Sequence, residues 1–200
     1  MTWRDLAAAG NEGDEPTARA ALRDTDPVAR ELALGALARM GALTDDDLVT
    51  ALYDPTTSVR RRAVLLSATR VGVPLLPALH DPDAVVVEAA AFAAGEQQPL
   101  LEVVDGAVLD RLIALATEAG DPLVREAAVA ALGAIGDERG LPAILAGCND
   151  KPAIRRRAVL ALAPFDGPDV RAALAAALDD RDWQVRQSAE DIAPHMDPDA

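Results

Sequence analysis

The sequence predicts an all-α fold, a right-handed αα superhelix of about six helical hairpins stacked in order. Three observations predict it. The 200 residues include 44 alanines and only five aromatic side chains, which suits close-packed helices, because strands favour β-branched and aromatic residues. One short phrase, an aspartate and an aliphatic residue followed by Arg-x-x-Ala, recurs six times at a spacing near thirty residues. Each recurrence also carries the start and stop signals of a helix.

The first copy reads Asp26-Pro27-Val28-Ala29-Arg30-Glu31-Leu32-Ala33, and the second is the shorter Ser58-Val59-Arg60-Arg61-Arg62-Ala63. The third, Asp83-Ala84-Val85-Val86-Val87-Glu88-Ala89-Ala90, places a valine where the others carry arginine. Then come Asp121-Pro122-Leu123-Val124-Arg125-Glu126-Ala127-Ala128, Ile154-Arg155-Arg156-Arg157-Ala158 and Asp182-Trp183-Gln184-Val185-Arg186-Gln187-Ser188-Ala189. The arginine positions are 30, 60, 87, 125, 155 and 186, so the intervals are 30, 27, 38, 30 and 31. Asp26, Asp83, Asp121 and Asp182 stand where an N-cap belongs, able to accept from the free N–H groups of the first turn. Pro27 and Pro122 follow at the first helical position, where a missing N–H costs nothing. Val124, Ala128, Leu132 and Ile135 share one helical face, and Ile154, Ala158, Leu162 and Phe165 repeat it. Gly41, Gly72, Gly95 and Gly136 are expected to end these helices. Shorter helical patterns lie between the copies, over residues 46–53, 74–79, 107–119, 142–147 and 168–178. Neither helix of a hairpin can hide its apolar side alone, so neighbours must stack.

Residues 1–193 are thus expected to form a single repeat domain, beginning with a short N-terminal helix, and 194–200 a loose tail. The 38-residue interval carries extra residues near 96–105. Two readings stand for it: an extended helix or longer loop, and a recognition loop or hinge, since solenoid insertions often emerge on a binding face.

The segment Gly133-Ala134-Ile135-Gly136-Asp137-Glu138-Arg139-Gly140-Leu141-Pro142-Ala143-Ile144-Leu145, followed by a later Arg-x-x-Ala, resembles a HEAT repeat. More narrowly it resembles the bacterial HEAT-like repeats first noted in phycobilisome lyases, over roughly residues 16–193. The resemblance implies the HEAT-like solenoid but does not select a function, since that family serves scaffolds, bilin lyases, hydroxylases and alkylpurine glycosylases. It also implies an Asp–Arg ladder between neighbouring repeats, in which Arg30, Arg125 and Arg186, with Asp26, Asp121 and Asp182, are structural. Val87 replaces the arginine, and Thr56 and Lys151 replace the capping aspartate. The ladder is therefore expected to be weakest near residues 83–90.

Composition narrows the chemistry. A formal charge of −14 argues against a general nucleic-acid binder, because a phosphate backbone is repelled by such a surface. Cys148 is the only cysteine, which excludes an intramolecular disulfide and a multi-thiolate metal site. No stretch approaches the eighteen apolar residues of a membrane span, and the start lacks an apolar signal region, so a cytoplasmic protein without membrane contact is expected. His80 and His195 are far apart and neither precedes a glutamate, so the paired His-Glu motifs of the di-iron deoxyhypusine hydroxylases are missing. Ser67 and Ser188 lack a Gly-x-Ser-x-Gly context, and Gly133-Ala134-Ile135-Gly136 reads as a helix end rather than a phosphate loop. The runs Asp45-Asp46-Asp47 and Asp179-Asp180 read as solvated surface. The basic clusters at 60–62 and 155–157 have no aromatic cage near them, against a glycosylase. No cofactor, metal or catalytic group is expected.

Binding is the more natural output, by a non-catalytic scaffold or adaptor for a protein or peptide. In HEAT solenoids the second helix of each hairpin usually lines the concave surface. The residue after each arginine position and the one four beyond it share a face. Those positions give Glu31, Arg61, Leu65, Glu88, Phe92, Glu126, Arg156, Leu160 and Gln187 as candidate partner-binding residues, with Gly35, Ala130 and Asp191 completing the rows. Mixed charge around Leu65, Phe92 and Leu160 suits apolar anchors inside a polar rim. The other reading is that these side chains pack against the adjacent repeat. Trp3 and Trp183 are expected to cover the ends of the stack or to act as exposed anchors. The alternative function is an accessory enzyme of the bilin lyase-like HEAT family, acting on a chromophore or protein substrate.

Overall fold

The computed structural model describes residues 12–100 and 105–192, and every regular element among them is helical. Eleven α-helices appear in the described residues: α1 (Glu15–Ala21), α2 (Pro27–Met40), α3 (Asp45–Ala51), α4 (Thr57–Ser67), α5 (Ala84–Gln97), α6 (Gly106–Glu118), α7 (Pro122–Ile135), α8 (Leu141–Gly147), α9 (Pro152–Ala161), α10 (Pro168–Leu178) and α11 (Trp183–Ile192). The copies of the repeat phrase lie on α2, α4, α5, α7, α9 and α11, and the first five each follow a shorter first element. Within hairpins α1 packs on α2, α3 on α4, α6 on α7, α8 on α9 and α10 on α11. Second helices also pack on second helices, α2 on α4, α7 on α9 and α9 on α11. First helices do likewise, α6 on α8 and α8 on α10. Sequential neighbours thus share the core, which makes the fold a repeat solenoid. The chain falls into two compact units, Met1–Ala93 and Ala94–Ala200.

Local chemistry sets the helix ends. Asp26 accepts from Val28 N–H at 3.0 Å, Asp121 from Leu123 N–H at 2.8 Å and Asp182 from Gln184 N–H at 2.9 Å. Thr56 and Lys151 make no side-chain cap; the Thr56 hydroxyl instead accepts from Arg30 Nη2 at 3.3 Å. Gly41 and Gly136 close α2 and α7 at φ 69° and 68°, the left-handed conformation glycine adopts without steric cost. Ala33, Leu34 and Leu37 of α2 are completely buried, as are Ala128 and Leu132 of α7, Ala158 of α9 and Leu162, the α9 C-cap.

Three expectations are corrected. Residues 74–79 form no α-helix; the first limb of the third hairpin is a single 3₁₀ turn, Ala78–His80. Pro74 and Pro77 lack the N–H groups an α-helix would need there. Gly95 lies inside α5 rather than after it, and a Cβ there would stand 3.2 Å from Ala131 Cα, so the glycine permits close helix contact. Gly72 lies beyond Ala68, the C-cap of α4. In the long interval α5 runs on to Gln97 and a 3₁₀ turn follows over Gln98–Leu100, while 101–104 lie outside the described residues.

Candidate functional site

Four of the five arginines of the repeat phrase are held at both ends of the guanidinium. In the first unit Arg30 Nε and Nη2 donate to the two oxygens of Asp54 at 2.7 Å each, while Nη1 donates to the Asp24 carbonyl at 2.9 Å. Arg60 grips Asp81 at 2.7 and 2.9 Å, reaches Asp83 at 2.7 Å and donates to the Asp54 carbonyl at 3.0 Å. In the second unit Arg125 takes Asp150 at 2.7 and 3.0 Å and the Ala119 carbonyl at 2.7 Å. Arg155 takes Asp180 at 2.8 and 2.7 Å and the Asp150 carbonyl at 2.9 Å. Arg186 makes the carbonyl half of the pattern, to Asp180 at 2.6 Å. These two-pronged contacts are the strong form of the charged hydrogen bond.

The ladder therefore exists, with different aspartates from those expected. Its acceptors are Asp54, Asp81, Asp150 and Asp180, one or two residues ahead of the capping position. Asp26, Asp121 and Asp182 instead turn a side-chain oxygen to their own first turns. Each ladder aspartate also accepts a backbone N–H just downstream, as Asp54 does from Thr56 at 2.8 Å. Near 83–90 Asp83 joins the Arg60 rung, and only the arginine at Val87, a buried valine, is lost. Ala119 offers a carbonyl without a carboxylate. Arg125 and Arg155 hold the carboxyls of Asp150 and Asp180 below the ordinary range through their hydrogen bonds. Burial pushes the Asp54 carboxyl up, but Arg30 and the Thr56 N–H outweigh it, so it too lies low. The acidic runs are accordingly not all solvated: Asp45 pairs with Arg70 at 2.9 Å, Asp47 with Arg19 at 3.0 Å, and Asp180 is a rung.

The candidate binding residues all lie on second helices, at the positions their spacing implied. In the first unit Glu31 is on α2, Arg61 and Leu65 on α4, and Glu88 and Phe92 on α5. In the second, Glu126 is on α7, Arg156 and Leu160 on α9, and Gln187 on α11. Phe92 is 48% exposed and Leu160 38%, with Arg61 and Gln187 also exposed. Glu31, Leu65, Glu88, Glu126 and Arg156 are half-buried. Gly35 is buried beneath Arg62, whose Nη2 would stand 2.9 Å from a Cβ built on that glycine. Residues the spacing rule missed join them: Arg157 lies 3.8 Å from Glu126, and Arg157 with Leu160 borders a groove of about 170 Å³ floored by Ala130, Gly133 and Ala161. Gly133 opens that groove, since a Cβ there would stand 2.6 Å from Ala161 Cα.

The remaining chemistry-bearing residues are accounted for locally. Burial pushes the Cys148 thiol up to about 11, which disfavours the thiolate. It lines a cavity of about 590 Å³ beside the Arg155–Asp180 rung. A smaller cavity of about 360 Å³ borders the Arg30–Asp54 rung, with Arg19, Arg23 and Asp47 on its walls. The His80 ring nitrogen Nδ1 is 3.0 Å from the Leu76 carbonyl, and buried Ser67 donates to the Ala63 carbonyl at 2.8 Å. Trp183 is 65% exposed, so it stands in solvent rather than covering its neighbours. Trp3 and His195 lie outside the described residues. Among the described residues no group of three or more histidine, cysteine, aspartate or glutamate side chains could hold a metal ion. No helix there is long and apolar enough to cross a membrane.

Comparison with known proteins agrees with the repeat geometry. A designed armadillo repeat protein superposes with a TM-score of 0.65 at 19% identity, covering 88% of this chain and 97% of its own. An engineered protein from a structural genomics consortium gives 0.65 at 20% identity, covering 88% and 94%. Human deoxyhypusine hydroxylase in complex with glycerol gives 0.48 at 22% identity over 95% and 77%, too distant to bear on activity. Among curated proteins, none matches the sequence. HEAT repeats match residues 73–153 and 109–192, together more than half of the chain. With that match spanning residues 73–192, the chain belongs to the HEAT repeat family.

Proposed function

We propose that the chain is a non-catalytic scaffold or adaptor that grips a protein or peptide through the exposed face of its second helices. One observation carries the reading: in each unit a second helix leaves a large apolar side chain in solvent, Phe92 in the first and Leu160 in the second, and second helices of the same units carry exposed Arg61 and Gln187. An apolar anchor inside a polar rim is what a protein-binding patch needs. Within the HEAT family we place the chain with the bacterial HEAT-like repeats, on the Gly133–Leu145 segment, and we take its setting to be the cytoplasm.

The test is affinity capture from the source cell with the wild-type chain and with Leu65→Glu combined with Leu160→Glu. The double variant should keep its helicity and lose its bound partner. Capture at full strength by that variant refutes the face. Replacing His80, His195 and Cys148 together should leave capture unchanged. An accessory enzyme that needed those groups would lose substrate turnover.

A further inference from the structure

One sequence stands twice in the chain without a difference. Arg60-Arg61-Arg62-Ala63-Val64-Leu65 on α4 and Arg155-Arg156-Arg157-Ala158-Val159-Leu160 on α9 are the same hexapeptide, one in each compact unit. Its first arginine is a buried ladder rung in both copies. The ladder alone does not call for the other two, since repeats that carry Arg30 or Arg125 follow it with glutamate and an aliphatic residue. Among the described residues, Arg61, Arg62 and Arg156 take no carboxylate within hydrogen-bond reach, and Arg157 comes no closer than 3.8 Å to Glu126. Arg156 Nε and Arg157 Nε are shut away from solvent with no hydrogen-bond partner, a state that leaves part of each guanidinium's desolvation uncompensated.

Geometry places an apolar element beside each pair. The Arg62 guanidinium lies over Gly35 of α2, and Leu65 is one turn further along α4. In the second unit Leu160 and Arg157 border the same groove, floored by Ala130, Gly133 and Ala161. Resting on the second-helix reading above, we propose that each hexapeptide is a docking site for an acidic peptide, its carboxylates on the arginine pair and an adjacent aliphatic side chain against the leucine. A partner carrying two such acidic–aliphatic clusters would engage both units.

Charge complementarity selects this occupant. Arg61, Arg62 and Arg156 have no hydrogen-bonded carboxylate and Arg157 meets only Glu126 at 3.8 Å, so each hexapeptide sets two adjacent cations beside a leucine in a chain of net charge −14. That net charge opposes an anionic partner at a distance, but charges beyond about 8–10 Å are screened at physiological salt. A nucleic acid fits less well, because a phosphate chain carries no aliphatic side chain to set against Leu65 or Leu160.

The probe is a short fluorescein-labelled peptide with two Glu-Asp-Leu clusters joined by a Gly-Ser spacer, read by anisotropy. Controls are its Gln-Asn-Leu counterpart and a single-stranded oligonucleotide of equal charge. The acidic peptide should bind, weaken with added salt and lose about tenfold when Arg61 and Arg62, or Arg156 and Arg157, become glutamine. All four replacements should lose more than either pair. Arg61→Gln with Arg156→Gln, changing one arginine per site, gives the same readout if a pair change lowers the melting temperature. No binding of the acidic peptide, equal binding of the Gln-Asn-Leu peptide, or unchanged binding by the four-arginine variant overturns the proposal. Tighter binding of the oligonucleotide also overturns it. If Leu65→Glu with Leu160→Glu still abolishes partner capture in those cases, the second-helix face stands and only its anion preference falls.

Discussion

Asp180→Asn keeps the shape of the side chain that Arg155 grips and removes its charge. Both partners are sheltered, with 8% and 15% of their side chains exposed, and the guanidinium makes 2.8 and 2.7 Å contacts to the two oxygens. The amide turns an N–H₂ toward one of these donors, so one hydrogen bond is lost and a buried cation is left half-served. Hydrogen bonds to charged groups contribute about 1.5–3 kcal/mol, and breaking a buried pair costs about 3–5 kcal/mol. Because the Arg155–Asp150 carbonyl bond remains, about 3 kcal/mol is expected. In a chain of this size that lowers the melting temperature by roughly 6–12 °C, measured by circular dichroism. Arg139→Ala, removing an exposed contact to Asp137, is the control and should melt like the wild type. A double replacement, Arg155→Met with Asp180→Leu, should recover part of the loss but not all, since the Asp182 N–H and Asp150 carbonyl each lose a partner. An Asp180→Asn melt within a degree of wild type would refute the view that the rungs stabilise the stack.

Three further outcomes follow from packing and protonation. Gly133→Ala places a Cβ 2.6 Å from Ala161 Cα, where backbone must move, and should destabilise by about 1–3 kcal/mol in urea unfolding. Gly106→Ala meets open space at the start of α6 and should stabilise by about 0.4–1 kcal/mol. The carboxyls of Asp150 and Asp180 titrate below their unfolded values, so their stabilisation is complete above the unfolded pKa of about 4. It fades as pH falls through the lower folded values. Melting temperature should therefore respond to these rungs below about pH 4, and Asp150→Asn with Asp180→Asn should flatten that acid limb. An acid limb of unchanged steepness in the double variant would show that other carboxyls carry it.

The second helices were legible because their signals are local. Asp26-Pro27 with Gly41, and Asp121-Pro122 with Gly136, state both ends of a helix within one segment. The rungs were less legible, since Arg155 and Asp180 are 25 residues apart and meet only once hairpins stack. A sign was present nonetheless: Asp24, Asp54, Asp81 and Asp180 each stand six positions ahead of the arginine place of their own repeat. The capping aspartates drew attention instead because they sit closer to the phrase. Residues 74–79 carry apolar spacing, but Pro74 and Pro77 break the hydrogen-bond ladder that spacing alone cannot see. The proposed binding residues follow from position, through the +1 and +5 rows, which pass over Arg62 and Arg157 at +2; Gly35 leaves room for the Arg62 guanidinium, and Arg157 lines the groove beside Gly133.

Except at Asp81, which Val87 follows, each ladder aspartate speaks to two neighbours, its carboxylate to the arginine before it in the chain and its carbonyl to the arginine after it. Asp150 and Asp54 both do so. Inserting or excising a whole hairpin keeps each of these handshakes, whereas removing ten residues from within one misaligns both at once. The architecture thus tolerates growth and shrinkage by full modules, and a chain with the Lys151–Asp180 module duplicated should fold with one more Arg–Asp clasp of the same geometry.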